Sequence, residues 1–357
     1  MSIKWLSIRQ FRNYSESRFD FGPAINVIQG PNALGKTSLL EAIHLLSLGR
    51  SFRTTRMNDM IHKGTEGFFL EAHFISNEIE QRLAVSMSPR ERKVVHNHTL
   101  YPSLSSLIGL LPVITMTPDD GLIKGGPDSR RKYLDLQIAQ FDPLYIHYLT
   151  RYQRAMRHRN QLLRRKSFDA IGPWEQEMAR SATYVVKRRK SLIQSLQTLA
   201  QDNHERLSGG LGELILGYQS HFDGDFLTQY QKTRQKEAAV GYTTTGPHRD
   251  DLMIKIDDKE ARHFASEGQK RTCVTALRLA SWHLLKQQTG VDPLMLIDDF
   301  GVSLDESRRQ QFLECLPEFG QVFITCVDPL PLSGAGVKTF TIKKQDEQDR
   351  KAAGYTG

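Results

Sequence analysis

The sequence has no long apolar run. None of its 357 residues falls in a stretch that approaches the roughly 18 consecutive apolar residues needed for a membrane-spanning helix. The N-terminal residues Met1 to Trp5 also lack the positively charged segment followed by an apolar one that marks a secretory signal. The sequence therefore predicts a soluble, cytoplasmic protein with no membrane partner.

Cysteine is scarce. The three cysteines, Cys273, Cys315 and Cys326, are far apart and lie in apolar surroundings, so we expect buried free thiols and no disulfide framework. Nothing near them has the spacing of zinc ligands. His96 and His98 could share one strand face, but no carboxylate lies nearby, so a hairpin edge is favoured over a metal or nuclease site. Composition therefore excludes a small scaffold stapled by disulfides or zinc.

Acidic residues are absent from one long stretch. Between Arg151 and Lys166 the chain has seven Lys or Arg and no Asp or Glu, while apolar residues recur at helical spacing. A second basic run covers 187–190. With a net charge of +8 and a pI near 9.3, these runs favour a nucleic-acid partner, with ordinary solvated helix faces as the alternative. Including the basic loop over 49–56, the candidate DNA-binding residues are Arg53, Arg56, Arg154, Arg157, Arg165, Lys187 and Arg188.

One stretch fits the phosphate-binding loop G-x-x-x-x-G-K-[ST], the Walker A motif, without a mismatch. A buried strand is predicted before it, over 24–29, and a helix after it, over 38–46. Lys36 would reach the β- and γ-phosphates, and Thr37 would offer its hydroxyl to Mg²⁺. The residues predicted to bind ATP here are Gly30, Pro31, Asn32, Ala33, Leu34, Gly35, Lys36, Thr37 and Ser38.

Two adjacent carboxylates end an apolar run near the C-terminus. Residues 293–297 predict a buried parallel strand that delivers Asp298 and Asp299 at its carboxyl end, which is the Walker B pattern. Asp298 would hold Mg²⁺ together with Thr37, and Asp299 would orient or deprotonate the attacking water. Lys36, Asp298 and Asp299 are therefore the predicted catalytic residues.

A second phosphate cradle is predicted at Ser266, Gly268 and Gln269, directly ahead of a helical pattern over 272–287. A serine hydroxyl, a glycine backbone and a helix N-terminus coincide there, as in the signature motif of ATP-binding-cassette (ABC) ATPases. The run over 207–211 looks similar but lacks the glutamine, and it predicts a helix that ends at glycine.

The order of these motifs decides between classes of P-loop protein. A helical insertion separates Walker A from Walker B, and the signature stands just before Walker B, as in ABC-type ATPases and unlike nucleotide kinases. The signature of one subunit would close on the nucleotide of another, so a complete site needs an ATP-dependent homodimer.

Residues 302–305 predict a D-loop, and the strand over 321–325 ends in Thr325, which could sense the γ-phosphate. A transporter subunit is the alternative reading, but residues 115–120 lack the Q-loop glutamine.

The predicted fold is α/β: an ABC/SMC-type P-loop ATPase head, with a mixed sheet plus an antiparallel β subdomain, and an inserted helical domain. The expected boundaries place the N-terminal half of the head at 1–118, the basic helical insertion at 119–240 and the C-terminal half at 241–357. Within the first half, a β-meander is expected over 68–101.

Over nearly its whole length the chain resembles the RecF family of bacterial recombination and repair ATPases, relatives of the structural-maintenance-of-chromosomes (SMC) proteins. The resemblance rests on the Walker A loop, the signature and the Walker B strand. The other matching stretches are 6–14, 49–54, 125–135, 246–252 and 303–305.

This resemblance implies ATP-dependent dimerisation on double-stranded DNA and on gapped or double-/single-strand junctions, with slow, DNA-stimulated hydrolysis. It implies a nucleoid-associated protein of recombinational repair and replication restart, whose partners RecR and RecO help load the RecA recombinase on single strands. Asp299 stands where most ABC proteins have glutamate, which suits a slow switch. The role of 246–252 stays open between a structural turn and a contact made by His248 or Arg249.

Overall fold

The computed structural model describes residues 1–118, 121–301, 306–332 and 334–343; the D-loop predicted over 302–305 lies outside them. The strands are β1 (Ser2–Phe11), β2 (Tyr14–Asp20), β3 (Ile25–Gln29), β4 (Phe68–Ser76), β5 (Ile79–Met87), β6 (Arg92–His96), β7 (Thr99–Tyr101), β8 (Val113–Met116), β9 (Leu214–Gln219), β10 (Asp251–Ile256), β11 (Lys259–Glu260), β12 (Leu294–Ile297), β13 (Val322–Cys326) and β14 (Val337–Thr341). The helices are α1 (Lys36–Leu48), α2 (Pro127–Ala139), α3 (Pro143–Arg165), α4 (Gly172–Ser208), α5 (Phe226–Val240), α6 (Ala261–Phe264), α7 (Glu267–Thr289) and α8 (Glu306–Cys315).

Five strands form a sheet in the order β14-β3-β13-β12-β8. β3, β12 and β13 are apolar and almost entirely buried, as expected for the central strands of a parallel sheet. The sheet predicted to be mixed is parallel in each described pair, because long crossovers and not hairpins join its strands. The residues that follow β3 and β12 therefore meet at one edge, on either side of the end of β13.

The expected antiparallel subdomain is a six-stranded sheet in the order β2-β1-β4-β5-β6-β7. It contains the predicted meander. Asn97 and His98 have φ of 46° and 70° and form the two-residue turn between β6 and β7, so His98 does not share a strand face with His96. Among the described residues, no group of three or more His, Cys, Asp or Glu could hold a metal ion.

The long helices α3 and α4 pack against each other and form the core of the inserted unit. Tyr152 and Ala155 of α3 meet Met178 and Ala182 of α4 in a buried apolar cluster. Helix α4 ends at Ser208, followed by a left-handed glycine with φ of 67°. The helix end predicted over 207–211 is thus confirmed.

A small sheet, β9-β10-β11, lies in the same unit, and helix α4 covers its β9 edge. Gln197 donates to the carbonyl oxygen of Leu214 at 2.8 Å and accepts from the N–H of Leu216 at 2.7 Å. Gln201 accepts from the N–H of Leu214 at 2.6 Å. Two glutamine side chains thereby satisfy backbone groups that a fourth strand would otherwise bind.

The chain divides into two compact units. One contains the described residues before 121 and after 284, and the other contains Gly121–Leu284. Residues 241–284, expected in the C-terminal half of the head, fall in the second unit because β10 pairs with β9 and the Tyr133 hydroxyl of α2 contacts the Ser281 hydroxyl of α7 at 2.6 Å. No described helix combines the length and apolar character needed to cross a bilayer.

Candidate functional site

The phosphate-binding loop connects β3 to α1, at the position predicted from the sequence. Gly30 and Gly35 have φ of 149° and 106°, a region that residues with a Cβ rarely adopt. A Cβ at Gly30 would also lie 2.6 Å from the carbonyl oxygen of Ile342. Both positions therefore favour glycine, which lets the loop backbone pass close to its neighbours.

Lys36 is buried at the start of α1 and folds back over the loop. Its Nζ donates to the carbonyl oxygens of Gly30 at 2.8 Å and Pro31 at 3.0 Å, and it lies 3.5 Å from Oδ1 of Asn32. An ammonium held by such contacts is placed to form charge-assisted hydrogen bonds with phosphate oxygens. The other candidate loop residues differ in exposure: Ala33 is exposed, Leu34 and Thr37 are half-buried, and Ser38 is buried.

The turn between β1 and β2 braces this loop. Nδ2 of Asn13 donates to the carbonyl oxygen of Ala33 at 2.8 Å, and the Tyr14 hydroxyl donates to that of Gly35 at 3.0 Å. The sequence motifs did not predict this role. The available signal was a pair of polar residues at the turn between the two strands that precede β3.

Glu41, which is buried on α1, pairs with positively charged side chains beside the loop. Arg12 forms hydrogen bonds of 2.8 and 2.6 Å with its carboxylate, and Arg53 lies 3.5 Å from it. Burial raises the pKa of the Asp298 carboxyl, and the positive charge of Arg53 opposes that increase. Arg53 is therefore held beside the phosphate-binding loop, although its side chain is exposed, and Arg56 in the same segment is exposed as well.

The structure brings Asp298, at the end of β12, together with Thr37. The hydroxyls of Thr37 and Thr325 each donate to Oδ1 of Asp298 at 2.9 Å. Burial raises the pKa of the Asp298 carboxyl, and the two hydroxyl hydrogen bonds lower it in part. The predicted Walker A and Walker B side chains thus share one hydrogen-bonded cluster.

Asp299 is half-buried and has φ of 48°, a left-handed conformation that is uncommon outside glycine but that aspartate and asparagine adopt more readily than most other residues. Its backbone N–H donates to the Thr325 hydroxyl at 2.7 Å. This hydrogen-bonded cluster therefore combines residues from the ends of three strands: β3 through the loop, β12 through the two carboxylates, and β13 through Thr325.

Oxygen donors suited to Mg²⁺ are present in this cluster. Mg²⁺ prefers oxygen ligands and commonly uses one or two protein groups together with substrate phosphates. The Thr37 hydroxyl and the Asp298 carboxylate supply that kind of donor set, 2.9 Å apart. The chemistry of these residues therefore fits the expected metal.

In the inserted unit, the signature residues Ser266 and Gln269 form a reciprocal cap at the start of α7. The N–H of Gln269 donates to Oγ of Ser266 at 3.2 Å, and the N–H of Ser266 donates to Oε1 of Gln269 at 2.8 Å. This is a capping box. Gly268 lies in the first helical turn, and the adjacent Glu267 pairs with Lys124 at 2.6 Å.

The basic helices divide into exposed and buried cations. Arg154, Arg157, Arg165 and Lys187 are exposed. Arg159, predicted on the positive face, is fully buried, because its guanidinium pairs with two buried carboxylates, Glu237 at 2.5 Å and Glu175 at 3.1 Å.

The second basic run is also divided. Arg189 is buried and pairs with Asp135 at 2.8 Å, so it belongs to the core. Arg188 is half-buried and pairs with Asp142 at 2.7 Å, which leaves Lys187 as the exposed cation of that run among the DNA-binding candidates.

Residues 246–250 form a turn that leads into β10, and hydrogen bonds hold it from several sides. His248 accepts from or donates to the Tyr152 hydroxyl at 2.6 Å through Nδ1 and contacts the carbonyl oxygen of Thr243 at 3.1 Å through Nε2. Burial lowers the pKa of His248. Arg249, in contrast, is exposed. His248 thus has an internal structural position, and Arg249 is the side chain of the two that can reach a ligand.

Comparisons with known proteins agree with these motifs. The family model described as RecF/RecN/SMC N terminal domain matches residues 2–351. The DNA replication and repair protein RecF of Protochlamydia amoebophila is 46% identical over 355 residues, covering 96% of this chain and 99% of that protein. The protein of the same name from Leptospira interrogans is 33% identical over 98% of this chain and 96% of its own length.

Solved structures give the same grouping. A structure described as the recombination mediator protein RecF-ATP in the RecFOR pathway superposes with a TM-score of 0.87, at 28% identity over 95% of each chain. The Smc head domain of Pyrococcus furiosus has a TM-score of 0.54 at 17% identity, over 91% of this chain and 89% of that one, and supports the fold alone. Since relatives more than 30% identical and the family model both span nearly the whole sequence, the chain belongs to the RecF family.

Proposed function

We propose that this protein is an ATP-driven DNA-binding switch of DNA replication and repair. The observation that carries the proposal is the cluster in which Thr37 and Asp298 share a 2.9 Å hydrogen bond beside the buried ammonium of Lys36. An oxygen donor pair, a positive charge and a helix N-terminus at one site are what a Mg²⁺-bound triphosphate needs. The solved relative described as RecF-ATP supports the same ligand.

Each residue of the cluster has one task in this proposal. The loop N–H groups and Lys36 bind the β- and γ-phosphates, while Thr37 and Asp298 hold Mg²⁺. When bound, Mg²⁺ neutralises the charge that develops as the γ-phosphoryl group leaves. Asp299 orients the attacking water and accepts its proton, so that ADP and phosphate are released. An aspartate in this position suits slow turnover and a long-lived ATP state.

A second copy of the chain completes the site in trans. In the capping box, Oγ of Ser266 accepts from the N–H of Gln269, which leaves its own proton available for a phosphate oxygen. The side-chain amide N–H groups of Gln269 remain available in the same way, because the box uses only its oxygen. With Gly268 between them, these groups form the γ-phosphate contact of the partner head. ATP thus links two heads, and hydrolysis separates them.

DNA is the proposed partner of the closed dimer. The exposed cations Arg154, Arg157, Arg165 and Lys187 can contact phosphates of a duplex or a gapped duplex. By family, the further partners are RecR and RecO, which help load RecA, and DNA stimulates hydrolysis. A transporter subunit is disfavoured because residues 115–120 contain no glutamine for a Q-loop.

The state of association tests this proposal. In sedimentation velocity, Asp299→Asn should be a monomer with ADP and a dimer with ATP, and a gapped duplex should stabilise the dimer. Ser266→Arg added to this variant should bind ATP yet remain monomeric, because it blocks the trans contact alone. A monomer of Asp299→Asn with ATP and with ATP plus DNA would contradict the proposed two-headed site.

The salt dependence of DNA affinity tests the basic helices. Reversing Arg154, Arg157 and Arg165 to Glu should weaken duplex binding and lower the slope of log affinity against log salt by roughly 0.9 for each phosphate that the protein no longer neutralises. The matched control reverses three cations of the antiparallel sheet region that reach solvent, Lys63, Arg90 and Arg92, with the same change in net charge. If the two triple variants changed DNA affinity and its salt dependence equally, α3 would not be part of the DNA-binding surface.

A further inference from the structure

Thr325 is the next-to-last residue of β13, the strand that lies between the loop strand β3 and the Walker B strand β12. Its side chain is fully buried. Its hydroxyl contacts both members of the carboxylate pair: Oδ1 of Asp298 at 2.9 Å and the backbone N–H of Asp299 at 2.7 Å.

The chemistry of the partners fixes the direction of both hydrogen bonds. A carboxylate oxygen can only accept, so the single proton of the Thr325 hydroxyl goes to Asp298. A backbone N–H can only donate, so a lone pair of the same hydroxyl receives the hydrogen bond from Asp299. One hydroxyl therefore links the two acidic residues and uses its proton for one and its lone pair for the other.

The backbone of Thr325 adds a further link to the same turn. The N–H of Phe300 donates to the carbonyl oxygen of Thr325 at 2.8 Å. Asp299, the residue before Phe300, has φ of 48°. This conformation is less favourable than the common backbone regions even for aspartate, and contacts with neighbouring residues stabilise it. The direction in which Asp299 projects thus depends on the end of β13.

We propose that Thr325 is a positioning residue for ATP hydrolysis, which sets Asp299 relative to Asp298 and does not bind the nucleotide itself. This inference rests on the proposed function, since it assigns Asp299 to the attacking water. It also accounts for how the catalytic acid can be oriented in a chain in which cysteine, Cys326, and not histidine follows Thr325.

Hydroxyl removal tests the proposal. Thr325→Val keeps the branched shape of the side chain but removes both hydrogen bonds. We expect the rate of ATP hydrolysis, kcat, to fall by about tenfold or more, as misplacement of a catalytic group commonly produces, while the Kd for ATP changes by less than about threefold. Thr325→Ser restores the hydroxyl and should recover most of kcat. The control is Thr289→Val, which removes a hydroxyl that bonds to the carbonyl oxygen of Leu285 within α7.

Three results would overturn the role of Thr325: a Thr325→Val variant that hydrolyses ATP at the wild-type rate, one whose ATP affinity falls in parallel with kcat, or a Thr325→Ser variant that hydrolyses no faster than the valine one. Thermal unfolding with and without ATP shows that each variant is folded. If valine prevents folding, Thr325→Ala takes its place with the same expected split between kcat and Kd. A wild-type protein that binds but does not hydrolyse ATP would instead refute the ATPase assignment, and the inference with it.

Discussion

Replacing Lys36 by alanine is expected to weaken ATP binding by about a hundredfold or more. The buried ammonium now bonds to two loop carbonyl oxygens and would supply charge-assisted hydrogen bonds to the phosphates, each worth about 1.5–3 kcal/mol. Titration of a fluorescent ATP analogue measures the change in affinity. We expect ADP binding to weaken as well, because the β-phosphate is one of the two groups that Lys36 contacts.

Lys63→Ala, which removes a lysine that reaches solvent in the same unit, is the matched control and should leave the affinity unchanged. Thermal unfolding without nucleotide separates weaker phosphate binding from a collapsed loop, since Lys36 also bridges Gly30 and Pro31. Wild-type ATP affinity in Lys36→Ala would refute the nucleotide site.

Arg159→Met is expected to lower the free energy of unfolding of the inserted unit by about 3–5 kcal/mol, which is typical when one partner of a buried ion pair is removed. Glu175 and Glu237 are both fully buried against Arg159. Its removal would leave buried carboxylates undercompensated, even though Arg234 also pairs with Glu175 at 2.5 Å. Urea unfolding, followed by circular dichroism, gives the change in midpoint.

Arg157→Met makes the same chemical change two positions away, at an exposed site. It should alter stability by less than about 0.5 kcal/mol and reduce DNA affinity. The two variants therefore separate the core of α3 from its surface. A stable Arg159→Met protein with a specific DNA defect would show that Arg159 reaches solvent and that its burial has been misassigned.

The structure around the candidate nucleotide site was largely predictable because its residues follow a local pattern. The loop spacing, the apolar strand before it and the helix after it are adjacent in sequence, and β3 and α1 form as predicted. The meeting of Thr37 with Asp298 also follows from general rules, since the carboxyl ends of parallel strands lie at one edge. The brace made by Asn13 and Tyr14 was not predictable, because its acceptors are backbone carbonyl oxygens with no residue-type signature.

The basic helices show where charge counting fails. Arg159 is one of the seven basic residues counted between Arg151 and Lys166, yet it falls on the apolar stripe, seven residues after Tyr152 and four before Leu163, both of which are buried. Helical periodicity alone therefore predicts that the Arg159 side chain faces the core. Its acidic partners come from α4 and α5, 16 and 78 residues along the chain, so the absence of acids within α3 gave a misleading picture. For Arg189 the partner, Asp135, is on α2.

The order of strands in the parallel sheet also constrains how the chain can fold during synthesis. β3 emerges early, yet both of its neighbours, β13 and β14, come from the last part of the sequence. At translation rates of about 5–20 residues per second, the apolar β3 segment waits roughly 15–60 s for its partners. The inserted unit, whose strands and helices are contiguous, can collapse in the meantime. The phosphate-binding loop is therefore among the last parts of the protein to acquire its shape. Until then the nascent chain exposes β3 as an apolar, unpaired strand that chaperones can bind.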